Sequence, residues 1–131
     1  MLVRFVLPRM NPNTGARDGV FEAAYALRRA GTLKPGKHDR LDRLLDWFGD
    51  ELAVPRRFNR TRSKGYFRRR TKGICWFKSS AIEHVSRMHR IAVILRQHGH
   101  HVTMIRTRRP GYVVYEDEHQ VIAEPFRDLR G

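Results

Sequence analysis

Between Glu51 and Glu83 the chain has no acidic residue and ten basic ones. Like charges at that density repel one another and oppose compaction. The densely basic part of the stretch is therefore not expected to supply the core, most of which has to come from the residues around it. The chain has enough apolar material for this: 131 residues, 40% of them hydrophobic, suit one domain with a buried interior rather than a disordered basic tail. We read residues 1–131 as a single domain carrying a basic, aromatic-containing loop at about 56–78.

The N-terminal side offers one strand and two helices. Leu2 to Leu7 is rich in β-branched and aromatic residues and reads as a strand that Pro8 stops. Asn11-Pro12-Asn13-Thr14-Gly15 is dense in turn formers and reads as a loop. Asp18 is placed to cap a helix over 19–30 that Gly31 ends. Lys34-Pro35-Gly36-Lys37 reads as a second turn. Leu41, Leu44, Leu45, Phe48 and Leu52 then fall at helical offsets, predicting a helix over 39–52 closed by Pro55.

The C-terminal side offers a helix and three strands. Ser80-Ala81-Ile82-Glu83 has the spacing of a capping box, and the helix it starts carries Val85, Met88, Ala92 and Leu95 to about His98. Gly99 terminates it. Residues 101–106, 112–115 and 120–123 alternate as strands, with Arg109-Pro110-Gly111 and Glu116-Asp117-Glu118-His119 as the turns between them. The expected class is α+β. An antiparallel sheet, formed by the N-terminal strand and a C-terminal three-stranded meander, is covered on one face by three helices.

The formal charge is +14, and the ten central bases account for most of it. Concentrated in this way, charge argues for one binding face rather than for general attraction to polyanions. Arg56, Arg57, Arg60, Arg62, Lys64, Arg68, Arg69, Arg70 and Lys72 are interleaved with Phe58, Tyr66 and Phe67. Guanidinium groups make forked hydrogen bonds to phosphate, and aromatic rings stack on unpaired bases at about 1–3 kcal/mol each. Such interleaving favours single-stranded or irregular RNA, because duplex bases are already stacked. The expected partner is therefore nucleic acid. It is gripped by Arg56, Arg57, Arg60, Arg62, Lys64, Tyr66, Phe67, Arg68, Arg69, Arg70 and Lys72, without catalysis. Trp76 and Phe77, just before the last helix, are expected in the core.

Two other readings are carried alongside. A metal-independent ribonuclease would draw on His84, Arg87, Tyr66 and His119 for proton transfer and charge stabilisation around a phosphate. An inhibitor or adaptor would use the same basic surface against an acidic protein. No cofactor or metal is expected. His98, His100 and His101 straddle a helix end without carboxylate neighbours, and the acids of 116–118 sit on a turn where strand alternation prevents convergence. The single cysteine, Cys75, lies in an apolar stretch and reads as a buried, inert thiol. No phosphate-binding glycine loop, dinucleotide fingerprint or nucleophile elbow occurs. Helix-turn-helix binding is disfavoured because the helix over 39–52 looks too acidic to enter a groove. No apolar run reaches the length of a membrane span, so no membrane partner is expected and the cytoplasm is the expected compartment.

Overall fold

The computed structural model describes residues 1–55 and 73–126 in full, together with the backbone of 58–59 and 67–68. The order is β1 (Leu2–Met10), β2 (Arg17–Gly19), α1 (Phe21–Ala30), α2 (Pro35–Glu51), β3 (Phe58–Asn59), β4 (Phe67–Arg68), β5 (Ile74–Lys78), α3 (Ile82–Gln97), β6 (Thr103–Thr107), β7 (Tyr112–Glu116) and β8 (Gln120–Glu124). Nine of these make the body: three helices and, with the short β2, a six-stranded antiparallel sheet in the order β2-β1-β5-β8-β7, with β6 on β1. The α+β class expected from the sequence is the observed one.

Residues 74–78 form a strand that the sequence reading left as an apolar stretch. It enters between β1 and β8, so β6 pairs with β1 while β7 and β8 make a hairpin. β1 is the organising strand because its two edges serve three partners. One edge runs beside β6 from Leu2↔Thr107 to Val6↔Thr103. The other pairs with β5 only at Leu2 and Val3, then with β2 at Val6 and Met10. Between Val3 and Val6 that second edge splays away from β5. β1 also runs through Pro8 to Met10, correcting the expected stop: the missing N–H is tolerated because β6 has already left the ladder there.

Several local expectations are also corrected. Lys34–Lys37 is not a turn, since Pro35 occupies the first position of α2, where a missing N–H costs nothing. Asp18 caps no helix and lies in β2, and α1 begins after Val20 with no side-chain cap. Ser80 likewise does not cap α3; Ala81 holds the N-cap position, and no side chain bonds the first turn. Gly31 and Gly99 end their helices in the left-handed region, at φ 66° and 87°.

The core lies between sheet and helices. Val3, Phe5 and Phe77 from the sheet meet Ala24 of α1, Leu41, Leu45 and Phe48 of α2, and Met88, Ile91 and Leu95 of α3. Each such large side chain contributes about 1.5–3 kcal/mol of burial. Trp76 and Phe77 are both buried, as expected. Ile82, the first residue of α3, faces solvent. Among the described residues, no helix is long and apolar enough to cross a membrane.

Candidate nucleic-acid interface

Of the eleven residues expected to grip nucleic acid, Arg56, Arg57, Arg60, Arg62, Lys64, Tyr66, Arg69, Arg70 and Lys72 lie outside the described residues. Phe67 and Arg68 are described only as the backbone of β4, which pairs with β3. The described body fixes where this segment leaves and returns. It departs after Pro55, just past the end of α2, and rejoins at Gly73 before β5.

Two carbonyls shortly before the departure point are held by side chains. His84 Nε2 donates to the Glu51 carbonyl at 2.8 Å, satisfying an acceptor left unpaired at the end of α2. Gln120 Nε2 donates to the Ala53 carbonyl at 2.7 Å. Gln120 is 2% exposed and fully used: its amide also donates to Asp117 Oδ2 at 3.0 Å, and its Oε1 accepts from Cys75 Sγ at 3.2 Å.

Asp117 organises the β7–β8 turn. Its Oδ1 accepts from the backbone amides of His119 and Gln120, and its Oδ2 accepts the Tyr115 hydroxyl at 2.8 Å. Burial pushes the Asp117 carboxyl up, but these donors outweigh it and hold the group below the usual aspartate range. The bond to Asp117, then burial, pushes the Tyr115 phenol up. The acidic turn is thus a structural knot rather than a converging carboxylate set. No group of three or more histidines, cysteines or acids among the described residues could hold a metal ion.

Three of the four ribonuclease candidates are described. The rings of His84 and His119 stack at 4.3 Å with an interplanar angle of 25°. His84 is buried, at 4% exposure, and His119 is partly exposed. The Trp47 ring meets His84 edge-to-face, with ring centres 4.7 Å apart, and the Arg87 guanidinium lies 3.9 Å above Trp47. His119, His84, Trp47 and Arg87 therefore form one continuous row of contacts, stacked between the two histidines and edge-on between His84 and Trp47. Arg87 stands at its far end and does not flank the imidazoles. Tyr66 lies outside the described residues.

This row opens into a feature that the sequence reading missed. α2 and α3 run antiparallel, and between them lies a groove of about 750 Å³. Arg40 and Arg43 rise from α2 and Arg87 and Arg90 from α3, with Leu44 and Ile94 as its floor. No acid lines it. Arg40, Arg43 and Arg90 are exposed, and none of the three forms an ion pair among the described residues. Arg87 reaches Glu83 at 3.8 Å and lies on Trp47. From Gly36 to Trp47 the groove runs eleven residues of helix, about 16 Å at 1.5 Å per residue.

α2 as a whole carries more acid than base, which is what made it look unsuited to a groove. Its charges are segregated. Asp42 and Asp46 turn toward α1, where Arg28 Nη1 lies 3.4 and 3.6 Å from them. Arg40, Arg43 and Trp47, spaced by three and four residues, occupy the opposite face. That spacing, read together with Arg87 and Arg90 on α3, was the available signal.

Cys75 is partly buried, and burial pushes its thiol up to about 12, as suits an inert side chain. No protein-family model matches the chain, and no curated protein or solved structure matches it.

Proposed function

We propose that this protein binds single-stranded nucleic acid, RNA in preference, without acting on it chemically. The observation that carries the reading is the acid-free groove between α2 and α3, in which four guanidinium groups share one face with an indole ring. Exposed, unpaired arginines cost little to keep and gain most when they meet phosphate oxygens bidentately. A groove about 16 Å long offers them to several successive phosphates rather than to one small ion. The basic segment of 56–72 follows Trp47 by nine residues along the chain, and its nine arginines and lysines would extend the same track. Helix-borne charge places the phosphates, and rings of the segment would stack on bases.

The test is capture of labelled single-stranded RNA across a salt series. Log affinity should fall with log salt at about −0.7 per neutralised phosphate, giving a slope of roughly −3 to −4 when four to six contacts form. Reversing Arg56, Arg57, Arg69 and Arg70 to glutamate should abolish most of the capture while the fold persists. Salt-independent binding would overturn the reading. Capture of a cellular partner that survives nuclease digestion would instead favour an acidic protein surface.

A second reading has one observation in its favour, the stacked His84–His119 pair at the root of the basic segment. A ribonuclease needs imidazoles to pass protons, and only His119 of the two is open to solvent while His84 is tied to the Glu51 carbonyl. Incubating the protein with mixed RNA, beside a His119→Ala variant and with a chelator present, decides this. Cleavage lost in the variant and kept with chelator would establish it, and intact RNA at high protein concentration would dismiss it.

A further inference from the structure

Where β1 splays from β5, the gap is lined on one side by Arg4 and on the other by Cys75 and Ile74, with β2 and the start of α1 closing it. The cavity, open on one side, measures about 280 Å³. Arg4 is 9% exposed and makes no hydrogen bond or ion pair among the described residues. Burial draws its guanidinium down to about 10, against the raising influence of Cys75 and Asp18, so it remains a cation at neutral pH. A buried cation with unused donors is costly, and well-packed apolar replacements of such groups are often neutral or stabilising. The walls beside it are apolar and aromatic, including Phe5, Phe21 and Phe77.

The charges of the lining decide what could answer Arg4. Arg17 adds a second cation, but Asp18 and Glu22 add two carboxylates. Among the described residues the lining is formally neutral, and an oxyanion would meet repulsion as well as attraction. Asp18 has acceptor capacity left: Oδ1 takes one bond from Asn11 Nδ2 at 3.0 Å, and Oδ2 has only Arg9 at 3.8 Å. The complement is a flat neutral ring that offers acceptors to a guanidinium and donors to a carboxylate. Guanine does this on adjacent edges, with O6 and N7 as acceptors and N1–H and N2–H as donors, and arginine to O6 and N7 is the commonest specific base contact. The volume lies at the low end for small-molecule pockets and suits one base rather than several.

We propose that this cavity receives one unpaired guanine, with Arg4 bonding O6 and N7 and Asp18 accepting from N1 and N2. The proposal deepens the nucleic-acid reading and takes from it the source of the base. Gly73, where the basic segment rejoins the body, lies at the cavity wall, which would bring a strand held on that segment to the opening. Recognition of a splayed base in a pocket with aromatic walls is the usual route to sequence preference in single-stranded RNA.

Calorimetric titration of the full chain with guanosine, adenosine and cytidine tests it without any phosphate to engage the arginine groove. Guanosine should bind at least about tenfold more tightly than the other two. Arg4→Met should lose guanosine while melting at the same or a higher temperature, and Asp18→Asn should lose the preference for guanosine over adenosine. Equal binding of the three nucleosides, no binding, a preference for cytidine, or unaltered guanosine binding by both variants would overturn the assignment. Salt-dependent RNA capture measured in parallel keeps the two readings apart. Capture without nucleoside preference removes the guanine pocket alone, and nucleoside binding without capture removes the groove alone.

Discussion

Neutralising Arg40, Arg43 and Arg90 together, each to glutamine, isolates the groove from the basic segment. All three are exposed and unpaired among the described residues, so the fold should change by no more than about 0.5 kcal/mol. If each arginine neutralises one phosphate of a single strand, its removal lessens the salt slope by about 0.7. Three removals lessen it by about 2. Affinity extrapolated to 1 M salt should barely move, whereas at 0.1 M salt the same three contacts amount to about a hundredfold. Fluorescence anisotropy of a labelled oligonucleotide over a salt series gives both numbers at once. Arg29→Gln, a single exposed charge in the last turn of α1, serves as the control and should leave the slope within error. Superimposed log–log lines for the triple variant and the wild type would refute the argument, because they would mean that no phosphate lies in the groove. A variant weakened equally at all salt concentrations would also refute it, since that pattern reports lost packing rather than lost counterion release.

Gln120→Ala should cost about 3 kcal/mol in denaturant unfolding, because it leaves the Ala53 carbonyl unpaired, removes a donor from Asp117 and opens a void at a site 2% exposed. Asp117 is a carboxyl held below its ordinary value, so its contribution is complete above the unfolded value of about 3.9 and fades as pH falls through the folded one. Asp117→Asn should therefore flatten the acid limb of the stability curve below about pH 4, as measured by thermal unfolding in a pH series. With its thiol pushed up to about 12, Cys75 should resist iodoacetamide at pH 8 in the native protein and react promptly in denaturant, as read by intact mass. Rapid native alkylation would show that the strand around it opens locally.

The elements with many residues per period were legible in the sequence. The apolar offsets of Leu41, Leu44, Leu45 and Phe48 located α2, and those of Val85, Met88, Ala92 and Leu95 located α3, because burial against a common core enforces a stripe over several turns. Short pieces failed for the complementary reason. β2 has three residues, too few for alternation to stand out, and β5 runs Ile74-Cys75-Trp76-Phe77 with no polar residue to mark alternate faces, so both are defined by their partners in β1 and β8 rather than by their own pattern. Pro35 was ambiguous because proline suits a turn and the first turn of a helix equally well. Neither Asp18 nor Ser80 caps a helix, although both have the right spacing: a cap motif reports what a side chain can do, and the strand pairing of Asp18 took precedence.

The candidate sites were less legible because each is assembled across the chain. Net charge hid the groove, since α2 is acidic in total and basic only on the face opposite Arg28. His84 and His119 come from the first turn of α3 and the β7–β8 turn, and their contact follows from β8 pairing beside β5, which no local spacing encodes. That register also sets the root of the basic segment. Gln120, the first residue of β8, reaches back to the Ala53 carbonyl, and His84 reaches the Glu51 carbonyl, so two different elements hold the backbone just before the segment departs. His84 also packs against Trp47, on which Arg87 lies. A ligand pressing on the groove end would therefore act on the same side chains that hold the segment's root. On the proposed reading, groove and segment are not independent binding modules joined by a loose tether. They are one track with a fixed junction, and loosening the junction at Gln120 should weaken capture even though Gln120 itself touches no phosphate.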